Sequence, residues 1–323
     1  MKQTVPLGHT DIEISSIGLG CWQFSGGKGL AGGYWEGQSR DQSRSIVKAA
    51  LDSGINWFDT AEAYGRGESE QTLSDALQAA GIENGQIVVA TKWMPFFRTA
   101  RSIGKTFPRR QEALRPYGID LHQIHAQASL SSIEKQADAM ADLAESGHIS
   151  AIGVSNFSAD AMRRFHEVLV QRGLALSSNQ VRYSLLDRRI EQNGTLDAAK
   201  ELGITIIAYS PLEQGILTGK FHENPDRLNS IRGLRRFTSS FKKRSLERTR
   251  PLVEALNEVA TRHDASAAQA ALAWVIGQHG RTVVAIPGAS SPGQVQSNAA
   301  AMALHLTSTD LDTIDEAMSR AGS

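Results

Sequence analysis

The chain has 323 residues, of which 41% are hydrophobic and 21% are charged, and its 34 basic and 34 acidic side chains cancel to a formal charge of zero. This length excludes a small stapled module, and zero net charge argues against nucleic acid or an anionic membrane as the main partner. Cys21 is the only cysteine, so it cannot form an internal disulfide. Residues 1–15 lack the apolar core of a signal peptide. No apolar run reaches the roughly 18 to 20 residues that span a bilayer. We therefore expect a soluble, cytoplasmic protein.

Short apolar runs recur along the chain, and longer segments with helical spacing separate them. The first runs, around Val5 and at 12–14 with Gly8 in the turn, predict an N-terminal β-hairpin that plugs the bottom of a barrel. Eight further runs predict strands at residues 17–21, 57–59, 87–91, 121–125, 151–154, 177–180, 204–209 and 283–287. The starts at 57, 87, 121, 151, 177 and 204 are 30, 34, 30, 26 and 27 residues apart, which is the length of one strand and helix unit. Such regular alternation indicates parallel strands joined by helices.

Eight such units favour a closed (β/α)8 TIM barrel over an open doubly wound sheet. The dinucleotide-binding signature of the open sheet fails because Gln23 stands where a third glycine is needed, and a phosphate-loop pattern fails because position 99 is Thr. The 79 residues between the starts at 204 and 283 hold a loop at 221–250 and two predicted helices at 251–262 and 267–278. We therefore predict a single barrel domain over residues 1–323, with a long insertion between strands 7 and 8. A loop of this length is usually a functional lid or disordered.

Polar side chains lie at the carboxyl ends of five successive predicted strands. Residues two apart share a face of a strand. On that shared face, an apolar or neutral residue lower in the strand is followed by an ionisable or amide residue at the carboxyl end. The residues are Asp59, Lys92, His125, Asn156 and Gln180. Singly, such residues often cap a helix, face solvent or form hydrogen bonds in a core, but active sites of barrels lie at this end of the strands. Together they predict an active site there.

Several motifs in chain order resemble those of the aldo-keto reductases, which are nicotinamide-dependent barrel oxidoreductases. The longest is residues 54–65, which read Gly-Ile-Asn-Trp-Phe-Asp-Thr-Ala-Glu-Ala-Tyr-Gly. The resemblance continues at residues 91–93, 123–125, 153–157, 179–180, 208–212 and 286–288. Together these motifs cover nearly the whole chain, and the resemblance implies reversible hydride transfer from NAD(P)H to an aldehyde or ketone.

The resemblance implies a catalytic role for four residues. Tyr64 would be the general acid that protonates the carbonyl oxygen, but an unperturbed phenol has a pKa of about 10. We therefore expect Lys92 to lower the pKa of Tyr64 and Asp59 to keep Lys92 charged and oriented. His125 would lie beside the carbonyl oxygen and orient the substrate.

The resemblance also implies the residues that bind the cofactor. Ser155, Asn156 and Gln180 would bind the carboxamide of nicotinamide, and Tyr209 would stack on its ring. The remaining expected contacts are Gly20, Cys21 and Trp22, then Ser210 and Leu212 at the loop over the pyrophosphate, and Gly288, Ser290, Gln294 and Asn298 at the adenosine end. Trp22 and Trp93 are candidate walls for the substrate, with ordinary core packing as the open alternative.

The adenosine end departs from the family pattern because Gly288, Ser290 and Gln294 stand where cations that grip the 2'-phosphate of NADP are common. Ser290 and the following helix start could still bind a phosphate through hydroxyl and backbone N–H groups. The resemblance favours NADP as cofactor, and NAD stays a possible one.

A basic run over residues 232–250 carries eight basic residues and Glu247, so its charge of +7 leaves −7 on the rest of the chain. The basic residues are Arg232, Arg235, Arg236, Lys242, Lys243, Arg244, Arg248 and Arg250. The run could be a solvated mobile loop or a lid that donates cations to the 2'-phosphate. Stacking of nucleic-acid bases on Phe237 and Phe241 is a weaker alternative, and we expect no nucleic-acid partner.

We expect an enzyme that acts on a small carbonyl compound, with no membrane partner and no metal. No metal-binding spacing occurs, since His122 and His125 face opposite sides of a strand. The alternative is a non-catalytic nicotinamide-binding subunit, since the family also resembles channel β subunits. The loops at the barrel mouth, predicted at 25–40 and 95–110, would determine whether the substrate is a sugar-like aldehyde, pyridoxal or a xenobiotic carbonyl. The sequence leaves open whether the chain is a monomer or a homo-oligomer.

Overall fold

The N-terminal hairpin closes one end of the barrel. In the computed structural model, which describes residues 4–27, 37–231 and 238–321, β1 (Thr4–Pro6) pairs antiparallel with β2 (Glu13–Ser15). Gly8 in the turn has a φ of +57°, and a Cβ there would lie 2.6 Å from the Ser177 carbonyl oxygen, so only glycine fits this approach. Val5 and Ile14 pack into the barrel interior. The predicted hairpin plug is confirmed.

Eight parallel strands form the barrel, in chain order around the sheet. They are β3 (Leu19–Gly20), β4 (Trp57–Asp59), β5 (Val88–Trp93), β6 (Ile119–Ile124), β7 (Ile149–Ser155), β8 (Leu176–Arg182), β9 (Thr205–Tyr209) and β10 (Val283–Ala285). Parallel bridges from Ile17 to Ala285 and from Gly20 to Gly288 join the first strand to the last. The predicted (β/α)8 barrel is confirmed, and every predicted strand overlaps an observed one with ends that differ by at most two residues.

Helices follow the strands on the outside of the barrel. They are α1 (Arg40–Asp52), α2 (Glu68–Ala79), α3 (Arg101–Leu114), α4 (Ile133–Glu145), α5 (Ala159–Gln171), α6 (Arg189–Gln192), α7 (Thr195–Glu201), α8 (Lys220–Glu223), α9 (Lys243–Arg262), α10 (Ala267–Gly277), α11 (Pro292–Ala300) and α12 (Ser308–Ala321). Short 3₁₀ turns span Trp22–Ser25, Gly65–Gly67, Glu213–Thr218, Pro225–Ser230, Ser239–Phe241, Gly280–Thr282 and Ala301–Ala303. Among the described ranges, no helix is both long and apolar enough to cross a membrane.

Two segments expected to be loops are helical. Residues 101–110 belong to α3, where Ile103, Phe107 and Leu114 recur at helical spacing and are buried. Helix α9 begins at Lys243 instead of 251 and continues through Pro251, because Leu246 and the residues after it are buried on one face. Tertiary packing therefore overrides the helix-starting preference of proline.

The prediction that the basic run is a loop, either mobile or a lid, is wrong for its second half. Lys243, Arg244, Arg248 and Arg250 lie on α9, and Lys242 occupies the position just before its first residue. Phe241 is buried and its ring packs edge-on against Phe221 at 5.3 Å, so it offers no face to a nucleic-acid base. Arg232, Arg235, Arg236 and Phe237 lie outside the described residues.

Strand alternation divides the buried residues into two layers. The inward-facing layer fills the barrel with Trp57, Ala90, Leu121, Ala151, Ile207 and Val284. The outward-facing layer, which includes Phe58, Val89 and Ile206, packs against the helices. At the carboxyl end the inward positions become polar, with Asp59, Lys92 and Gln123 all buried. The barrel thus holds a polar site on an apolar base.

Candidate active site

A cavity of about 810 Å³ opens at the carboxyl ends of the barrel strands. Its walls include most residues predicted for the site: Gly20, Cys21, Trp22, Asp59, Tyr64, His125, Ser155, Asn156, Gln180, Tyr209, Ser210, Leu212, Gly288, Ser290, Gln294 and Asn298. Its volume is within the range of roughly 300 to 1,000 Å³ that is usual for small-molecule sites. The fold therefore brings both ends of the predicted site into one cleft.

A buried ion pair lies under the floor of the cavity. Lys92 is fully buried, and its Nζ donates to Asp59 Oδ1 at 2.5 Å and to the Thr60 carbonyl oxygen at 2.9 Å. The second carboxylate oxygen of Asp59 accepts from Nε2 of Gln123 at 3.0 Å and of Gln180 at 2.9 Å. Although burial disfavours the ammonium, the Asp59 carboxylate and the Tyr64 phenol beside it raise the pKa of Lys92. Lys92 is therefore a fixed cation.

Tyr64 lies above this cation. Lys92 Nζ is 5.1 Å from the centroid of the Tyr64 ring, Trp22 stacks on that ring at 5.8 Å, and His125 meets it edge-on at 5.6 Å. Burial raises the pKa of the Tyr64 phenol, and the Lys92 ammonium opposes this rise without cancelling it. The expectation that Lys92 brings the pKa below its ordinary value is wrong here, because desolvation outweighs the attraction of one cation. The phenol is protonated at neutral pH.

His125 is a neutral imidazole. Burial, and then repulsion from Lys92, lowers its pKa to about 3. Its backbone N–H donates to the Trp93 carbonyl oxygen, and its buried Nδ1 has no hydrogen-bond partner within the described residues. A neutral ring donates through one nitrogen and accepts through the other. His125 can therefore donate a hydrogen bond to an oxygen in the cavity without carrying charge.

A hydrogen-bonded set of polar side chains forms the next section of the wall. Ser155 Oγ donates to the Gln180 carbonyl oxygen at 2.9 Å, and Asn156 Nδ2 donates to Ser155 Oγ at 3.0 Å. The hydroxyl of Tyr209 donates to Asn156 Oδ1 at 3.0 Å. Asn156 and Ser210 have left-handed φ values of +57° and +53°, which non-glycine residues rarely adopt. Backbone strain of this kind concentrates at functional sites.

The opposite end of the cavity is neutral. Gly288 approaches so closely that a Cβ would lie 2.2 Å from Gln23 Nε2. The backbone N–H of Ser290 donates to Gln294 Oε1 at 2.7 Å, so it is not free to bind a phosphate as we had expected. The side chains of Ser290, Gln294 and Asn298 carry no charge. Among the described wall residues the cations are Arg182 and Lys220.

Trp93 is absent from the walls of this cavity. It is 1% exposed and packs in the outward-facing layer, where Nε1 donates to Ser102 Oγ at 3.1 Å and Arg98 lies over the ring. Of the two alternatives for Trp93, the structure therefore favours core packing over a substrate wall. The alternation rule already implied this, since Lys92 faces inward and its neighbour must face outward.

Sequence reasoning missed Gln123 as a site residue, although Gln123 lies two residues before His125 and so shares its strand face. The signal was available, because an inward-facing glutamine between Leu121 and His125 must find a polar partner. That partner is Asp59. His122 faces outward, where its ring meets Phe107 edge-on at 5.2 Å.

Within the part of the chain that the structure describes, no three His, Cys, Asp or Glu side chains converge to hold a metal ion. The donor set instead fits a nicotinamide dinucleotide: amide and hydroxyl groups beside an aromatic ring at Tyr209, and a long cleft that continues to Asn298.

The sequence model of the aldo/keto reductase family matches residues 16–319. The chain belongs to this family. An uncharacterized oxidoreductase of Mycobacterium tuberculosis is 37% identical over 308 residues, which cover 94% of this chain and 90% of that protein.

Two solved structures extend the comparison. A glycerol dehydrogenase from Gluconobacter oxydans superposes with a TM-score of 0.84 at 29% identity, covering 99% of this chain and 96% of that one. An aldo-keto reductase from Klebsiella pneumoniae in complex with NADPH superposes with a TM-score of 0.73 at 26% identity, covering 98% and 95%. The family and these relatives identify this aldo-keto reductase as an oxidoreductase, and the NADPH-bound relative supports a nicotinamide cofactor.

Proposed function

We propose that this aldo-keto reductase transfers a hydride from NAD(P)H to an aldehyde or ketone, reversibly, with Tyr64 as the general acid. The observation that carries the proposal is the position of Tyr64 between a buried cation and a neutral histidine. Lys92 Nζ lies 5.1 Å from the centre of the tyrosine ring, and His125 lies 5.6 Å from it on another side. A carbonyl oxygen that reaches the Tyr64 hydroxyl and the His125 ring meets two hydrogen-bond donors.

Each residue has a separate task in this proposal. The Tyr64 hydroxyl, protonated at neutral pH, donates its proton to the oxygen as negative charge develops there. The Lys92 ammonium stabilises the phenolate that remains, and Asp59 holds the ammonium in place. His125 donates a hydrogen bond that orients the carbonyl, as neutral donors do in other sites for developing oxyanions.

We assign the cofactor to the wall between Tyr209 and Asn298. A bound reduced nicotinamide supplies the hydride. Asn156 and Gln180 would hold its carboxamide, while Tyr209 would cover the ring and expose one face to the substrate. The NADPH-bound relative favours NADP. Because Ser290 and Gln294 are neutral, we propose that NAD is accepted as a second cofactor.

The test compares the wild type with Tyr64→Phe by following loss of reduced-nicotinamide absorbance with a panel of aldehydes. We expect kcat to fall by about 10²-fold or more, since general acids contribute roughly that much, while NADPH binding measured by fluorescence titration persists. The matched control is Tyr117→Phe, whose hydroxyl donates to the Ile82 carbonyl oxygen outside the cavity. A wild type that binds NADPH tightly and reduces no carbonyl would overturn the proposal and favour a regulatory subunit like the channel β subunits.

A further inference from the structure

Three large apolar residues are exposed on the two loops that follow strands β5 and β6, at the carboxyl end of the barrel. Phe96 is 51% exposed, Phe97 is 92% exposed and Leu130 is 68% exposed. Among the described residues, only Val170 at 55% joins them as an exposed large hydrophobic residue, and it lies on α5. We call Phe96, Phe97 and Leu130 the apolar lip.

The lip is built on a strained turn. The backbone N–H of Arg98 donates to the Pro95 carbonyl oxygen at 3.0 Å, which places Phe96 and Phe97 at the two central positions. Phe97 has a φ of +58°, a left-handed conformation that bulky residues seldom adopt and that this turn position normally gives to glycine. An aromatic ring so exposed gains little burial in return. Neither feature helps the protein fold, which points to a function for the turn.

Arg98 holds this turn rigidly. Its Nη1 donates to the Met94 carbonyl oxygen at 3.0 Å and forms an ion pair with Glu62, and its Nη2 donates to Thr106 Oγ1 at 2.7 Å. The Arg98 carbonyl oxygen accepts from the backbone N–H of Leu130 at 3.0 Å. The two loops of the lip are therefore joined, and the strain at Phe97 is imposed by its surroundings.

The two loops of the lip begin at residues that line the cavity. Met94, just before the turn, lines the cavity, and so does His125, which begins the loop that reaches Leu130. Three peptide steps separate Met94 from Phe97, so their Cα atoms lie within about 11 Å of each other. Both loops that carry the lip therefore begin at the wall of the cavity, beside His125, where the proposed function places the carbonyl.

We infer that the apolar lip binds the apolar tail of the substrate, so that this enzyme prefers aldehydes or ketones with an extended alkyl or aromatic group over small polar carbonyls. The inference rests on the proposed function. A methylene that becomes fully buried raises affinity roughly fourfold, and an open lip covers about one side of a chain. We therefore expect about a twofold rise in kcat/KM for each added methylene.

The test measures kcat/KM with NADPH for straight-chain aldehydes from propanal to decanal. The wild type should show the rise with chain length, and the double variant Phe96→Ser/Phe97→Ser should flatten it while leaving propanal unchanged. Val170→Ser removes a similarly exposed apolar side chain from α5 and should leave the slope intact. A wild type that reduces propanal and decanal equally well, or a double variant with the wild-type slope, would overturn the inference.

A second variant separates function from folding. Phe97→Gly removes the ring and fits the left-handed backbone, so it should raise the thermal unfolding midpoint while reducing the preference for long aldehydes. If the lip instead binds a second copy of the chain, the double variant Phe96→Ser/Phe97→Ser would abolish self-association in sedimentation velocity. The rise of kcat/KM with aldehyde chain length would then be unchanged, and this result would reject the inference. Failure of the wild type to reduce any aldehyde of the series would reject the proposed function as well, whereas equal reduction of propanal and decanal would reject the inference alone, so the two failures are distinguishable.

Discussion

Replacing Lys92 by methionine should destabilise the protein strongly, because it leaves a buried carboxylate without its cation. Asp59 is 1% exposed, and its Oδ1 lies 2.5 Å from the ammonium. At that separation and an effective dielectric constant of about 20, the attraction is about 7 kcal/mol before desolvation is counted. Breaking a buried pair at one partner typically costs about 3–5 kcal/mol, and we expect Lys92→Met to fall in that range.

The partner variant gives the complementary result. Asp59→Asn keeps one acceptor oxygen for three donors, namely Lys92, Gln123 and Gln180, and leaves the ammonium buried beside an amide. We expect a loss similar to that of Lys92→Met. The double variant should lose less than the sum of the two single losses, since it leaves neither charge unpaired.

The assay is urea unfolding of the three variants and the wild type, followed by circular dichroism and by tryptophan fluorescence to check that both report one transition. The reasoning would be refuted by single losses below about 1 kcal/mol, or by a double loss equal to the sum of the singles. Either outcome would mean that the pair is solvated or uncharged in the folded protein.

Three further predictions follow from the ionisable groups. Burial raises the pKa of the Tyr64 phenol, and alcohol oxidation needs the phenolate. The kcat for alcohol oxidation should therefore rise with pH into the alkaline range, while the kcat for carbonyl reduction does not. An oxidation kcat that stays constant with pH would contradict this. Burial raises the pKa of Glu70 from its ordinary 4.5 to about 7. Between pH 4.5 and pH 7 the folded state therefore binds more protons than the unfolded state, and the free energy of unfolding falls by up to about 3 kcal/mol as the pH rises through this range. Urea unfolding at graded pH should show this fall for the wild type and not for Glu70→Gln. Neutral replacements in the basic run should raise the Kd of NADPH about tenfold or more and change the Kd of NADH little, because ion pairs to the 2'-phosphate act on NADPH alone. Fluorescence titrations measure both constants. An equal rise in the two Kd values would exclude a contact with the 2'-phosphate. The replaced residues are Arg235, Arg236, Lys242 and Lys243.

Regular spacing made the barrel predictable. Each strand and helix unit repeats after about 30 residues, and only a few architectures accept eight of them. The same alternation predicted that Asp59, Lys92 and His125 would meet at one rim. It also placed Trp93 on the outside, where the structure has it, although the position of Trp93 at the end of a barrel strand made it a candidate wall for the substrate.

The sequence by itself determined the fold and the side chains that share the catalytic rim, because strand period and unit length are local properties of the chain. Only the tertiary structure decided which partners they take. Asp59 accepts from Gln123 and Gln180, which are 64 and 121 residues away in the chain. Likewise α9 runs through Pro251 because of packing, and the pKa of Tyr64 rises because burial outweighs Lys92. These outcomes depend on desolvation and on contacts between distant segments, which no local pattern encodes.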